Sequence, residues 1–453
     1  MTSGELATTT APVGLGWLAA RIGERTARGI AAAVSGLIRD GEVRPGTRLP
    51  TVRALAAELS VSPTTIAEAW AQLRAAGLIG TGRRRGTTVL VPPTGLVPTR
   101  MFPGWPAVDL EHGSPDPALL PPLEDAVAAG VRGDRAGKEP ISSRLRAAVK
   151  PEWPFAAEAW TVAAGGREGV ALACRAVARP GDVVAVEEPT APWLLRQLRA
   201  ARIHVVAVPC DESGPRPEAL EAALAHRPVA FVYQPRAQDP LGHTVSGARI
   251  AELAAVLART DTAVVEVDDL GPLAAGPGAS LGAHLPGQVL LVRSYCTAFG
   301  TELRSCVLGG SAALVDRVRA QRAFGTAWSS PVLQDAQAFL LTDPTTASLL
   351  HRARRRYASR RAGLASALRD HGLDVGAGDG LLLWVPVPDE TRTLVTLAAR
   401  GVSVGAGSRG FPGGSGAPHI RVAVGQLPDD PAPVADLAGM IARAAGVRSR
   451  RTA

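Results

Sequence analysis

The chain has 453 residues, is 46% hydrophobic and 20% charged, and carries a formal net charge of +8. That length exceeds one hydrophobic core and calls for at least two domains, and no apolar run reaches the length that a membrane-spanning helix needs. Four dispersed cysteines, Cys174, Cys210, Cys296 and Cys306, show no CxxC, HxxxH or HExxH spacing, and the N-terminus lacks a basic stretch before an apolar one, so reduced thiols, no metal site and a cytoplasmic location are expected.

A positive balance suits either a nucleic-acid partner or a scattered, solvated surface, and the distribution of charge has to decide between them. Residues 24–39, ERTARGIAAAVSGLIR, repeat apolar positions at helical spacing. Gly41, Pro45, Gly46 and Pro50 break the pattern. Thr51 is a helix cap for VRALAAEL, and after a short turn Ser62 caps a second helix with Pro63 at its first position, where a missing N–H costs nothing. Two helices joined by a short turn predict a helix-turn-helix whose second helix reads DNA. LIGTGRRRGTTVLVP then places two β-prone runs around a loop carrying Arg83, Arg84 and Arg85, a wing whose guanidiniums suit phosphates or a minor groove. The competing explanation is a plain helical subdomain with a solvated basic loop. The order of independent features favours the DNA reader.

Residues 1–91 thus form one unit, and 92–107, rich in Pro and Gly, read as a linker. From 108 to 447 strand-like runs (TVAAGG, DVVAVEEP, IHVVAVPC, VAFVYQP, TAVVEVDD, VLLVRS) mostly alternate with helical segments, which predicts an α/β domain with a mostly parallel sheet covered on both faces. Residues 448–453 read as a tail.

The string RPGTRLPTVRALAAELSVSPTTIAEAWAQLRAAGLI resembles the winged helix of the GntR family of bacterial regulators. The resemblance implies that Arg44, Arg48, Arg53, Ser62, Thr64 and Thr65 face a double-stranded DNA operator together with the wing arginines. Pro63 stands where that family usually has an arginine able to grip guanine, which points to an altered sequence preference. GGREGVALACRAVARPGDVVAVEEPT, QPRAQDPLGHTVS, VDDLGPLA, HRARRRYASRRAGLASAL and HIRVAVG resemble the fold-type I aminotransferases, and the whole chain is similar to the MocR-type subgroup of GntR regulators. By that resemblance a small C-terminal α+β subdomain begins at about residue 335, Gly166, Arg167 and Glu168 open a phosphate-binding helix, and Ser294 and Arg304 complete the phosphate site. Asp268 serves the pyridine nitrogen of pyridoxal phosphate, and Arg421 grips a carboxylate.

The resemblance also marks losses. Thr297 falls at the Schiff-base lysine position, Leu270 at that of a ring-binding tyrosine, and Ala191 at that of a stacking aromatic, with Trp193 two residues on. The expectation is a homodimeric, cytoplasmic DNA-binding regulator without catalytic residues, with no covalent cofactor, pyridoxal phosphate only as a weak non-covalent ligand, and a possible small anionic effector. Two other readings stay open: an aminotransferase-type enzyme working without its lysine, and a large domain that binds no ligand and only pairs two DNA readers.

Overall fold

The computed structural model describes residues 13–39, 42–43, 46–75, 78–82, 86–89, 108–133, 139–276, 278–323, 329–414 and 416–447. Arg44, the wing arginines 83–85, the expected linker 92–107 and the tail 448–453 lie outside them.

Among the described residues the first unit packs four helices, of which Leu15–Ala19 is the shortest, and a hairpin. Helix Ala27–Arg39 turns Ile30, Ala31, Val34 and Leu37 inward, and helix Pro63–Ala75 contributes Ile66, Ala69, Trp70 and Leu73 to the same core. Thr51 Oγ1 accepts the Ala54 N–H at 3.2 Å and so caps helix Val52–Leu59. Ser60 then takes a left-handed conformation (φ 55°), which lets the chain turn within three residues into helix Pro63–Ala75. Strands β1 (Ile79–Gly82) and β2 (Gly86–Val89) pair antiparallel as the wing stem.

The remaining strands are β3 (Val108–Leu110), β4 (Ala159–Ala163), β5 (Val183–Glu188), β6 (His204–Asp211), β7 (Gly214–Pro215), β8 (Ala230–Tyr233), β9 (Ala263–Asp268), β10 (Val289–Ser294), β11 (Cys306–Gly310), β12 (Leu382–Pro386), β13 (Val402–Ala406) and β14 (His419–Ala423). Among the described residues the large sheet has the order β4-β11-β10-β9-β8-β5-β6-β7. Its centre, β10-β9-β8-β5-β6, is parallel, and antiparallel strands close both edges. The parallel strands are nearly all apolar because helices cover both faces.

The small sheet has the order β12-β14-β13-β3. Its fourth strand was not expected there: Val108–Leu110 pairs in parallel with Val402–Val404, so the C-terminal subdomain also recruits the first described residues after the linker. Helices Pro344–Asp370, Glu390–Ala398 and Pro431–Ala445 line its core.

The DNA-reader unit rests on this small domain. Helix Ala27–Arg39 lies against helix Glu390–Ala398, and Arg28 forms an ion pair with Asp389.

Candidate functional site

Of the described residues expected to meet DNA, Arg48, Arg53, Ser62 and Thr64 are exposed and Thr65 is half-buried. Ser62 Oγ accepts the Thr65 N–H at 3.1 Å and lies 2.8 Å from its hydroxyl. Both side chains therefore first serve to start helix Pro63–Ala75. Arg48 pairs with Thr88 of the wing stem through a β-bridge. Its guanidinium lies so close to Gly86 (φ +69°) that a Cβ there would come within 2.9 Å of Nε. Arg48 thus ties the turn before helix Val52–Leu59 to the wing stem.

The second site is a cavity of about 500 Å³ between the edge of the large sheet and the small domain. It opens at the start of helix Gly166–Val177. Gly165 takes φ 97°, and a Cβ on Gly166 would fall 2.8 Å from Ser294 Cβ and 3.0 Å from Asp269 Oδ1. Only glycine lets the helix start approach β10 this closely. The first backbone N–H groups of that helix, the Ser294 side chain and Arg304 line the cavity together. Arg167 is exposed and lies over the Trp193 ring, 5.9 Å from its centroid. Glu168 turns back instead, accepting the Ala164 N–H, and so braces the loop. Among the described residues Arg196 and Arg304 line the cavity without an ion-pair partner, and Arg167 lies near enough to Asp269 for its charge to act on that carboxyl.

Thr297 lines the cavity, and its hydroxyl donates to the Asp269 carbonyl at 3.3 Å. Leu270 is also on the wall, and no lysine occurs among the described lining residues. Ala191 is fully buried away from the cavity, whereas Trp193 reaches it.

Two expected positions differ. Asp268 does not face the cavity. It is buried behind it, bound by Arg236 (3.1 and 2.7 Å) and Arg293 (2.6 Å). Burial alone would raise its pKa, but these guanidiniums outweigh that and hold the carboxyl below the usual range. The residue on the cavity wall is Asp269. The cause is strand alternation: Val265 and Val267 pack toward helix Gly166–Val177, and the next residue on that face is 269. The other is Arg421, which already holds a carboxylate, that of Asp239, at 2.8 and 2.9 Å from Nη2 and 3.2 Å from Nε. As it stands the clamp is closed by the protein itself.

Residues 26–89 match the gntR family of bacterial regulatory proteins, and residues 112–426 match the class I and II aminotransferases. The vitamin B6 salvage pathway transcriptional repressor PtsJ of Salmonella typhimurium is 33% identical over 384 residues, spanning 83% of this chain and 89% of the relative. The chain belongs to the gntR-type regulators that carry an aminotransferase class I and II domain. The HTH-type pyridoxine biosynthesis transcriptional regulator PdxR of Corynebacterium glutamicum is 29% identical, over 84% of this chain and 87% of its own. A Pyrococcus horikoshii kynurenine aminotransferase shares the fold of the large unit at 19% identity, with a TM-score of 0.67 over 75% of this chain and 91% of that one. This MocR-like regulator is therefore a DNA-binding protein with an aminotransferase-like α/β domain, as its motifs led us to expect.

Within this family fold, Asp269 is the unusual group. Burial, with Asp239 and Asp268 nearby, pushes its carboxyl up to about 7. The native protein then keeps a proton that the unfolded chain releases near pH 4, so this residue costs stability progressively as pH rises from about 4 to about 7. Asp269→Asn removes that cost. Because the carboxyl opens onto the cavity, water there screens part of it, and the variant should gain about 1–2 kcal/mol over the parent at pH 8 and almost nothing at pH 4. Denaturant melts of both proteins at the two pH values measure this, and equal differences at both would refute it.

Proposed function

We propose that this regulator is a homodimer acting on operator DNA in the cytoplasm, and that its aminotransferase-like domain is non-catalytic and binds a phosphorylated vitamin B6 compound without a covalent bond. The carrying observation is the set of guanidiniums around a glycine-opened helix start and Ser294: Arg196 and Arg304 without an ion-pair partner, and Arg167 beside Asp269. Backbone N–H groups, a hydroxyl and free cations are what a phosphate dianion needs. The names of two relatives, a vitamin B6 salvage repressor and a pyridoxine biosynthesis regulator, support the choice of ligand.

The fit to pyridoxal phosphate is partial. Joined to a lysine amine, that cofactor supplies an electron sink for amino-acid chemistry. Ser294, Arg304 and the Gly166 helix start would hold its phosphate and the Asp269 carboxyl would serve its ring, but Thr297, at the loop position the resemblance assigns to the lysine, has only a hydroxyl, which cannot form an imine. Leu270 offers the ring no hydrogen bond, and Arg421 is occupied by Asp239. The phosphate is held, while the groups that take an amino acid through transamination are replaced or closed. A route to the DNA reader also exists. Ala406 and Arg409 line the cavity and, on their other side, a groove against Ala32, Ser35 and Gly36 of helix Ala27–Arg39.

For dimerisation, Val127, Val131 and Leu333 are 38%, 50% and 36% exposed on two helices that pack together, Glu124–Val131 and Pro331–Thr342. Such an apolar face suits a second copy of the chain.

Pyridoxal phosphate titrated into the purified protein should bind reversibly, be removed by dialysis and leave no adduct after borohydride. Arg304→Ala should weaken it about tenfold, roughly 1.4 kcal/mol, and Thr297→Lys should make it trappable. A trapped adduct on the parent protein's 294–304 loop, or unaltered affinity in Arg304→Ala, would overturn the assignment. On DNA, Arg48→Ala and Arg53→Ala should each lower affinity for all sequences and reduce the slope of log affinity against log salt by about one; unchanged slopes would remove these arginines from the interface. Light scattering at micromolar concentration should return the mass of a dimer, and a monomer mass would count against paired readers.

A further inference from the structure

Behind the loop that carries Asp239, three side chains converge from separate elements: Glu187 near the end of β5, Cys210 near the end of β6, and His243 on the loop after β8. One donor atom from each lies within 4.8 Å of the other two. Glu187 is fully buried, His243 is 8% exposed and Cys210 is half-buried. Both ring nitrogens of His243 and Oε2 of Glu187 lack any hydrogen-bond partner. Three orphaned polar atoms beside a thiol are costly for a protein interior unless something binds them.

We propose that Glu187, Cys210 and His243 form a binding site for a borderline divalent cation of the zinc type, with the fourth position left to water. Thiolate, imidazole and carboxylate are the donor set such ions select, and sulfur and nitrogen donors disfavour magnesium or calcium. Ligands around a tetrahedral ion sit about 3.3–3.8 Å apart given metal–ligand bonds of about 2.0–2.3 Å, so the observed cluster closes with small side-chain rotations.

The surroundings are prepared for this. Glu187 Oε1 is fixed by the Gln234 N–H at 3.0 Å and the Gln234 side-chain amide at 3.3 Å, which leaves Oε2 for the ion. The His243 loop is held by Gln238, whose side chain donates to the Pro189 carbonyl at 2.7 Å and whose N–H donates to the His243 carbonyl at 3.1 Å. Neutral imidazole, thiolate and carboxylate are the forms that bind a metal, so an ion entering the site displaces the thiol proton and any proton on the carboxyl. The dication then balances one thiolate and one carboxylate, and the buried site is neutral.

Cobalt(II) titrated into the metal-free full-length protein is the test. The parent should take one equivalent, showing the strong visible bands of tetrahedral cobalt and a thiolate-to-metal charge-transfer band. Cys210→Ser should abolish the charge-transfer band, and His243→Gln should weaken binding at least tenfold. Added zinc should raise the melting temperature of the parent and not that of Cys210→Ser. No charge-transfer band in the parent, or one that persists in Cys210→Ser, would overturn the site. Should His243→Gln not fold, the near-isosteric Cys210→Ser decides alone.

Discussion

Everything around the cavity is hung on one buried carboxylate, Asp268. It is 1% exposed, and the two guanidiniums that close on it are 9% and 6% exposed. Through them it reaches far. Arg236 donates onward to the carbonyls of Gly276 (2.6 Å) and Gly271 (2.9 Å), Arg293 donates to that of Glu152 (3.0 Å), and Asp268 itself accepts the Gly271 N–H at 3.1 Å. Arg293 also stacks over Trp153, 4.9 Å from its ring centroid. One anion thus ties the ends of β9 and β10 to the loop after β8 and to the segment before β4. Breaking such a pair by removing one partner typically costs about 3–5 kcal/mol, because the remaining charges stay buried. The cavity wall that Asp269, Leu270 and Thr297 share is rigid because the knot behind it is fully bonded.

Much of this architecture was legible in the chain. The caps at Thr51 and Ser62 and the alternation of β-branched runs with helices are local signals, and local physics delivers them as read. Asp268 and Asp269 show where motif matching and physics part. Glu266 and Asp268 lie on one face of β9, where Glu266 meets Tyr233 and Ser280, while Val265 and Val267 lie on the other. Counting by twos would have put Asp269, not Asp268, in the cavity. No such rule could have found the partner of Arg421, because Asp239 is 182 residues away and only the closed fold joins them. The same holds for Glu187, Cys210 and His243. Their spacing resembles no metal motif, and the parallel pairing of β5 with β6 is what gathers them. The recruitment of Val108–Leu110 into the small sheet was hidden for a similar reason: three residues are too short a pattern to announce a strand.

The contact between the DNA reader and the small domain gives the molecule a mechanical character that a tether alone would not. Arg28 on Asp389 and the groove beneath helix Ala27–Arg39 fix the orientation of the first unit as well as its distance. The segment 406–409 is the thin partition between that groove and the cavity. On the groove side Ser408 is pinned to Glu390 through its N–H (2.8 Å) and its hydroxyl (2.6 Å), and on the cavity side Arg409 faces Glu111 at 3.6 Å. A displacement of Arg409 has little slack to dissipate in before it meets the helix that carries the reader.

The Asp239–Arg421 pair has a further meaning as a tethered competitor. A free carboxylate approaching Arg421 contends with one that is permanently at hand, at an effective concentration on the order of millimolar or above. Metabolites at micromolar levels lose that contest unless they make other contacts at the same time. The pair therefore works as a threshold on chemistry rather than as a lock: a carboxylate would displace Asp239 from Arg421 only if it arrived with a second anchor.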